Sequence, residues 1–207
     1  MIIGVCGFIG SGKDTVADYL VNQHEFRRES FAGTLKDAVA SVFGWDREML
    51  EGKSTEAREW REEVDEWWAE RLNMPTLSPR WVLQYWGTEV GRKSFHTDIW
   101  IASLENKLRK SQDNVIISDC RFPNEVDSIK NAGGKVVWVI RGELPAWYET
   151  AKLANSGDIS SINAMHKLNI HSSEWAWLNT DFDLEIYNNG ELYELYDCVE
   201  RILEVSN

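Results

Sequence analysis

The chain has 207 residues, 43% of them hydrophobic, which suits one domain with a real core or a domain carrying an inserted lobe. Its formal net charge of -12 excludes a general binder of nucleic acid or of anionic membrane, because both partners need a basic surface to neutralise phosphates. Any phosphate site must be a local basic pocket in an acidic protein. No apolar run approaches the ~20 residues of a membrane span, and no basic leader precedes an apolar region at the amino terminus. Cys6, Cys120 and Cys198 are far apart and odd in number, without disulfide-framework or zinc spacing. Together these features lead us to expect a cytoplasmic protein with buried thiols and no targeting segment.

Ile2 to Cys6 is apolar, too short for a helix and ended by Gly7, so it reads as a buried strand. After a glycine-rich loop, Val16, Ala17, Leu20 and Val21 share one helical face from Lys13 onward. From about Trp45 to Leu108 the spacing is helical and no strand is evident. Seven of the eleven tryptophans lie there, and Trp60, Val64, Trp67, Trp68 and Leu72 make one apolar stripe, read as core in preference to a base-stacking platform. The acids Glu62, Glu63, Asp65 and Glu66 are its solvated face. The runs at 114–119 and 135–140 read as strands joined by a helix, a right-handed parallel unit. Residues 142–179 form a second insertion whose "ANSGDISS" suggests a mobile segment, a lid if it covers a phosphate site. A strand at 183–188 and a helix with Leu192, Leu195, Tyr196, Val199, Ile202 and Leu203 on one face complete an α/β pattern.

The chemistry begins in "GFIGSGKDT". Gly7, Gly10 and Gly12 let backbone N–H groups turn toward a phosphate, and Lys13 adds a mobile cation at the start of a helix. A tight turn accounts for the glycines but not for Lys13. Asp14 stands where such loops usually carry the magnesium hydroxyl; it can hold Mg²⁺, with Thr15 on a phosphate oxygen, or it can simply favour a helix amino terminus. In "SDCRFPNE", Asp119 ends a strand at the edge where α/β sheets bind ligands. Arg121 suits a phosphate or an ion pair with Glu125.

The stretches "GSGKDTVADYL", "FAGTLKDAVA", "RWVLQYWGTE", "DIWIASLENKL", "ISDCRFPNEVDSI" and "HSSE", in this order over nearly the whole chain, resemble the phage deoxynucleoside monophosphate kinases of the P-loop superfamily. In that family an aspartate after the loop lysine is normal. The resemblance implies a single P-loop kinase domain over 1–207: a five-stranded parallel sheet flanked by helices, a helical monophosphate-binding lobe at 45–110 and a lid at 142–179. It implies a homodimer in the host cytoplasm, supplying phage DNA precursors by moving the ATP γ-phosphate to a deoxynucleoside monophosphate. Gly10, Ser11, Gly12, Lys13, Asp14 and Thr15 would bind ATP, with Mg²⁺ on Asp14 and Asp119. Lys36, Arg80, Gly87, Thr88, Trp100, Asp119, Arg121 and Glu125 would line the monophosphate site. The catalytic set would be Lys13, Arg80, Asp119 and Arg121.

Each carried-over residue also has a plainer reading: Lys36 on an amphipathic helix surface, Arg80 at a helix start after Pro79, Gly87-Thr88 in a turn, Trp100 in core. His171 and Glu174 of "HSSE" can cap a loop. Two departures stand out against the shorter family members: the segment from Trp45 to Pro79 differs, and the longer lid region contains no arginine, Arg141 at its root being the nearest. The competing functions are a small-metabolite kinase of the dephospho-coenzyme A or phosphomevalonate type, and a nucleotide-dependent switch.

Overall fold

The structure, a computed structural model, describes residues 1–204. In chain order its elements are β1 (Ile2–Cys6), α1 (Lys13–His24), β2 (Arg27–Glu29), α2 (Gly33–Phe43), α3 (Arg47–Glu51), α4 (Thr55–Glu62), α5 (Glu66–Leu72) and α6 (Pro79–Tyr85), then a π-helix (Trp86–Phe95) and α7 (Ile99–Leu108). There follow β3 (Val115–Ile117), α8 (Pro123–Asn131), β4 (Lys135–Ile140), α9 (Tyr148–Asn155), α10 (Ile159–Lys167), β5 (Leu184–Tyr187) and α11 (Leu192–Glu204). Two compact units divide the chain: Met1–Ser30 with Lys107–Asn207, and Phe31–Asn106.

The first unit is α/β. Its five strands are all parallel in the order β2-β3-β1-β4-β5. Central strands covered on both faces must be apolar throughout, and Ile3, Val5, Ile116, Val137 and Val139 are fully buried. Helices α1 and α11 close one face through Val16, Ala17, Leu20, Leu195, Val199 and Ile202. On the other side α8 comes so near β1 that a Cβ on Gly4 would lie 2.5 Å from Cδ1 of Ile129, which is why a glycine interrupts the strand's branched residues. Because β1 is flanked by β3 and β4, the loops leaving β1 and β3 emerge side by side at the carboxyl edge of the sheet.

The second unit is helical. Leu35, Val39, Trp45, Leu50, Ala69, Leu77 and Val82 form its core, with Trp60, Trp68, Trp81, Trp86 and Trp100 packed around them. The buried indoles are satisfied: Trp45 donates to Asp65 at 2.7 Å and Trp68 to the Phe43 carbonyl at 3.0 Å.

The expected stripe from Trp60 to Leu72 is corrected. It is split between α4 and α5, because Asp65 turns its carboxylate onto the Trp68 amide at 3.1 Å and starts a new helix. Trp60 and Trp68 keep their core role, whereas Trp67 is 62% exposed. Strand β2 carries no apolar pattern, since Arg27, Arg28 and Glu29 make an edge strand known only from its pairing with β3. In the 142–179 region "ANSGDISS" is a helix end, a turn at Gly157 and a helix start capped by Asp158, whose carboxylate accepts from Ser161 N at 2.7 Å.

Candidate active site

The loop between β1 and α1 turns on glycines with positive φ, at Gly7, Gly10 and Gly12. Gly12 has φ 105°, and a Cβ there would meet Nδ2 of Asn188 at 2.4 Å. That same amide donates to the Ser11 carbonyl at 2.8 Å and braces the loop from the end of β5. The Ser11 hydroxyl is buried without a hydrogen-bond partner, a donor turned into the loop with nothing to hold. Lys13 Nζ donates to the Phe8 carbonyl at 2.9 Å. Its amine gives up a proton more readily than an ordinary lysine, first because it is buried and second because the Arg121 guanidinium stands close. Two cations gathered at a loop of amides form a site that a polyanion would stabilise.

Asp14 is exposed on the first turn of α1 and is held by Arg28, which also donates to Asp18 at 2.8 Å and to the Ser118 hydroxyl at 2.8 Å. Arg28 had no sequence signal. It lies on the patternless edge strand, and only the pairing of β2 with β3 brings it over Asp14 and beside the strand end that carries Asp119. The α1 spacing of Asp14 and Asp18, one helical turn apart, was the available hint that a cation faces both.

At the end of β3, Glu125 is 2% exposed and turned back onto the chain: its Oε2 accepts from Arg121 N at 2.8 Å and from Phe122 N at 3.2 Å, closing a capping box at the start of α8. The expected alternative of an Arg121–Glu125 ion pair is therefore corrected; the contact is to the Arg121 backbone. The guanidinium instead pairs with Glu174, Nη1 to Oε1 2.9 Å, so the "HSSE" glutamate belongs to the loop's surroundings. His171 does cap, its Nδ1 accepting from Ser173 N at 3.2 Å. Cys6 and Cys120 are buried, and burial, then the neighbouring Cys6, pushes the Cys120 thiol up. Cys198 is only partly buried, against the expectation for all three.

In the helical unit, Lys36 is nearly buried and paired with Glu51 at 2.5 Å, and Arg47 holds the other oxygen of the same carboxylate at 2.5 Å. Burial raises the Glu51 pKa, but the hydrogen bonds and charges of Lys36 and Arg47 outweigh it and hold the carboxyl below the usual glutamate range. Arg80 is exposed and paired with Glu62 at 3.1 Å. Gly87 and the exposed Thr88 lie on the π-helix, a geometry common at functional sites. Trp100 packs against the core, donates to the Gly87 carbonyl at 2.8 Å and lies against Gly91, where a Cβ would come within 2.7 Å of its ring. The α/β unit thus brings Lys13, Asp14 and Arg121 into one electrostatic neighbourhood. The helical unit gathers Gly87 with Trp100, and separately Lys36 with Glu51. Arg141 follows β4 and is exposed.

Among the described residues, no three His, Cys, Asp or Glu side chains are grouped as a protein-built metal site requires, and no helix is long and apolar enough to cross a membrane. The family model for deoxynucleotide monophosphate kinase matches residues 51–150. A protein of Acanthamoeba polyphaga mimivirus that bears the deoxynucleotide monophosphate kinase name is 32% identical over 155 residues, covering 68% of this chain and 74% of its own. The deoxynucleoside-5'-monophosphate kinase of Escherichia phage T5 is 28% identical over 179 residues, covering 63% of this chain and 72% of its own. Shikimate kinase of Aquifex aeolicus aligns over 99% of this chain and 97% of its own at 12% identity, with a TM-score of 0.46 that is too low to weigh beside them. Sequence matches of this extent make the chain a member of the deoxynucleotide monophosphate kinase family.

Proposed function

We propose that the protein transfers the γ-phosphoryl group of ATP to a deoxynucleoside monophosphate. The P–O bond to the β-phosphate oxygen breaks, a new P–O bond forms to the acceptor phosphate, and ADP and a deoxynucleoside diphosphate leave. The observation that carries this reading is a glycine loop that holds the Lys13 amine against its own Phe8 carbonyl, with the Arg121 charge near enough to oppose it, in a chain whose overall charge is strongly negative.

The acceptor phosphate needs no general base, because its second pKa is about 6 and it is largely dianionic at neutral pH. Catalysis then rests on positioning and charge neutralisation. Gly10, Ser11, Gly12 and Thr15 offer amides and hydroxyls to the ATP phosphates, and the unpartnered Ser11 hydroxyl is one donor in place. Lys13 exchanges its carbonyl partner for phosphate oxygens. Arg121 leaves Glu174 for the transferring group, while Glu125 acts through Arg121 by gripping its backbone. Lys36, Arg80, Thr88 and Trp100 receive the monophosphate, Gly87 serving through its carbonyl bond to the Trp100 indole. Residues 142–179 act as a lid that excludes water.

The residues fit Mg²⁺ of the kind held mostly by phosphate oxygens and water with one or two carboxylates. Asp14 already takes a cation, the Arg28 guanidinium, and Asp119 follows the neighbouring strand. Bound there, Mg²⁺ would neutralise charge on the β- and γ-phosphates.

The test is the rate of ADP release with Mg-ATP and a panel of deoxy- and ribonucleoside monophosphates. Acceleration by one or more deoxynucleoside monophosphates is expected. A rate indifferent to every acceptor would mark a hydrolytic switch and overturn the proposal.

A further inference from the structure

Helix α4 presents two arginines one turn apart toward the loop that precedes it. Arg58 Nε donates to the Gly52 carbonyl at 3.0 Å, and its Nη2 reaches the Lys53 carbonyl at 3.4 Å. The Arg61 guanidinium lies against Gly52, where a Cβ would be 2.2 Å from its Cζ. Its Nη1 has a long contact with the Leu50 carbonyl at 3.4 Å, and its Nε is buried with no hydrogen-bond partner. Arg80 stands close enough to add its own repulsion, second only to burial in disfavouring the Arg61 charge, with Arg58 a lesser source.

The nearby acids are already committed. Glu62 pairs with Arg80 at an exposed edge, and Glu51 is shared between Lys36 and Arg47. In a chain with 34 acidic residues against 22 lysines and arginines, a merely structural arginine has carboxylates to spare. A half-buried guanidinium whose Nε has no hydrogen-bond partner, with the Arg80 charge near enough to oppose its own, has the donor and the local positive field that suit an anion.

We infer that Arg61 is a phosphate-binding residue of the helical unit, acting with Arg80 on the phosphate of the nucleoside monophosphate. The inference rests on the proposed monophosphate reading of Arg80 and extends it to a residue outside every motif that carried that reading. Arg61 brings the planar fork that matches two phosphate oxygens, and the absence of a side chain at Gly52 leaves the space that the fork occupies.

The test is calorimetric binding, without ATP, of the four DNA deoxynucleoside monophosphates and their parent deoxynucleosides to wild type, Arg61→Gln and Arg61→Lys. For a charge-assisted pair, Arg61→Gln is expected to weaken monophosphate binding by about 10- to 100-fold and leave the deoxynucleosides unaffected. Arg61→Lys, which keeps the charge and the packing of the stem, should lose less and guards against a glutamine variant that does not fold. Unchanged monophosphate binding in both variants would overturn the inference. Equal losses for monophosphate and nucleoside would do the same, since they would mean a scaffold role. A wild type that binds monophosphates through Arg61 yet transfers no phosphoryl group would overturn the proposed kinase reaction and leave this assignment standing.

Discussion

The two units hold their cations by different means. In the α/β unit the backbone does most of the work: a loop of glycines, one orphaned hydroxyl and a lysine resting on a carbonyl. The helical unit relies on side chains: Lys36 and Arg47 are held by Glu51 and Arg80 by Glu62, while Arg58 and Arg61 rest on backbone carbonyls. A backbone site is fixed by geometry and stays formed when empty. A site made of ion pairs must trade a carboxylate for a phosphate, so its affinity is set by how firmly each partner is held.

The contrast breaks first at Lys13. Lys13→Ala removes the lysine cation of a preformed cradle and should lower kcat by about 1,000-fold with the fold intact. A loss confined to KM would mean that the cradle only binds. Arg121→Ala should cost about 100- to 1,000-fold in kcat, since Lys13 and the loop amides survive it. Wild-type turnover from that variant would remove Arg121 from the transferring group.

The smallest effect is a pH dependence in the helical unit. Glu51 has a folded pKa below its ordinary value, so its contribution to stability is complete above the ordinary glutamate range of about 4.3 and is lost as pH falls through the lower folded value. In urea unfolding, wild type should exceed Glu51→Gln near pH 7, and the gap should shrink on acidification below pH ~4. A gap constant down to pH 3 would show that the Lys36–Glu51–Arg47 arrangement contributes nothing through charge.

Legibility in the sequence followed the same division. The runs at 2–6 and 135–140 appear as strands β1 and β4 with those bounds, because buried parallel strands have no polar face to blur the signal. The glycine loop was visible because its backbone requires glycine. What escaped depended on pairing across the chain. Arg28 meets Asp14 only through the edge register of β2, and Glu174 finds Arg121 from 53 residues away. Glu125 was singled out for the right neighbour and the wrong atom, since capping geometry belongs to the backbone around it. The tryptophan stripe failed at Asp65, where one side-chain cap outweighed a helical period running through it.

The capping of α8 bears on kinetics. With the amides of Arg121 and Phe122 held by one buried carboxylate, the root of Arg121 is fastened to the start of α8. The path of the guanidinium away from Glu174 is then rotation about side-chain bonds alone, against a partly exposed ion pair worth about 0–1 kcal/mol. Rotations of that kind take picoseconds to nanoseconds in exposed side chains. If Arg121 serves the transferring group as proposed, its return after each product leaves is too quick to limit turnover.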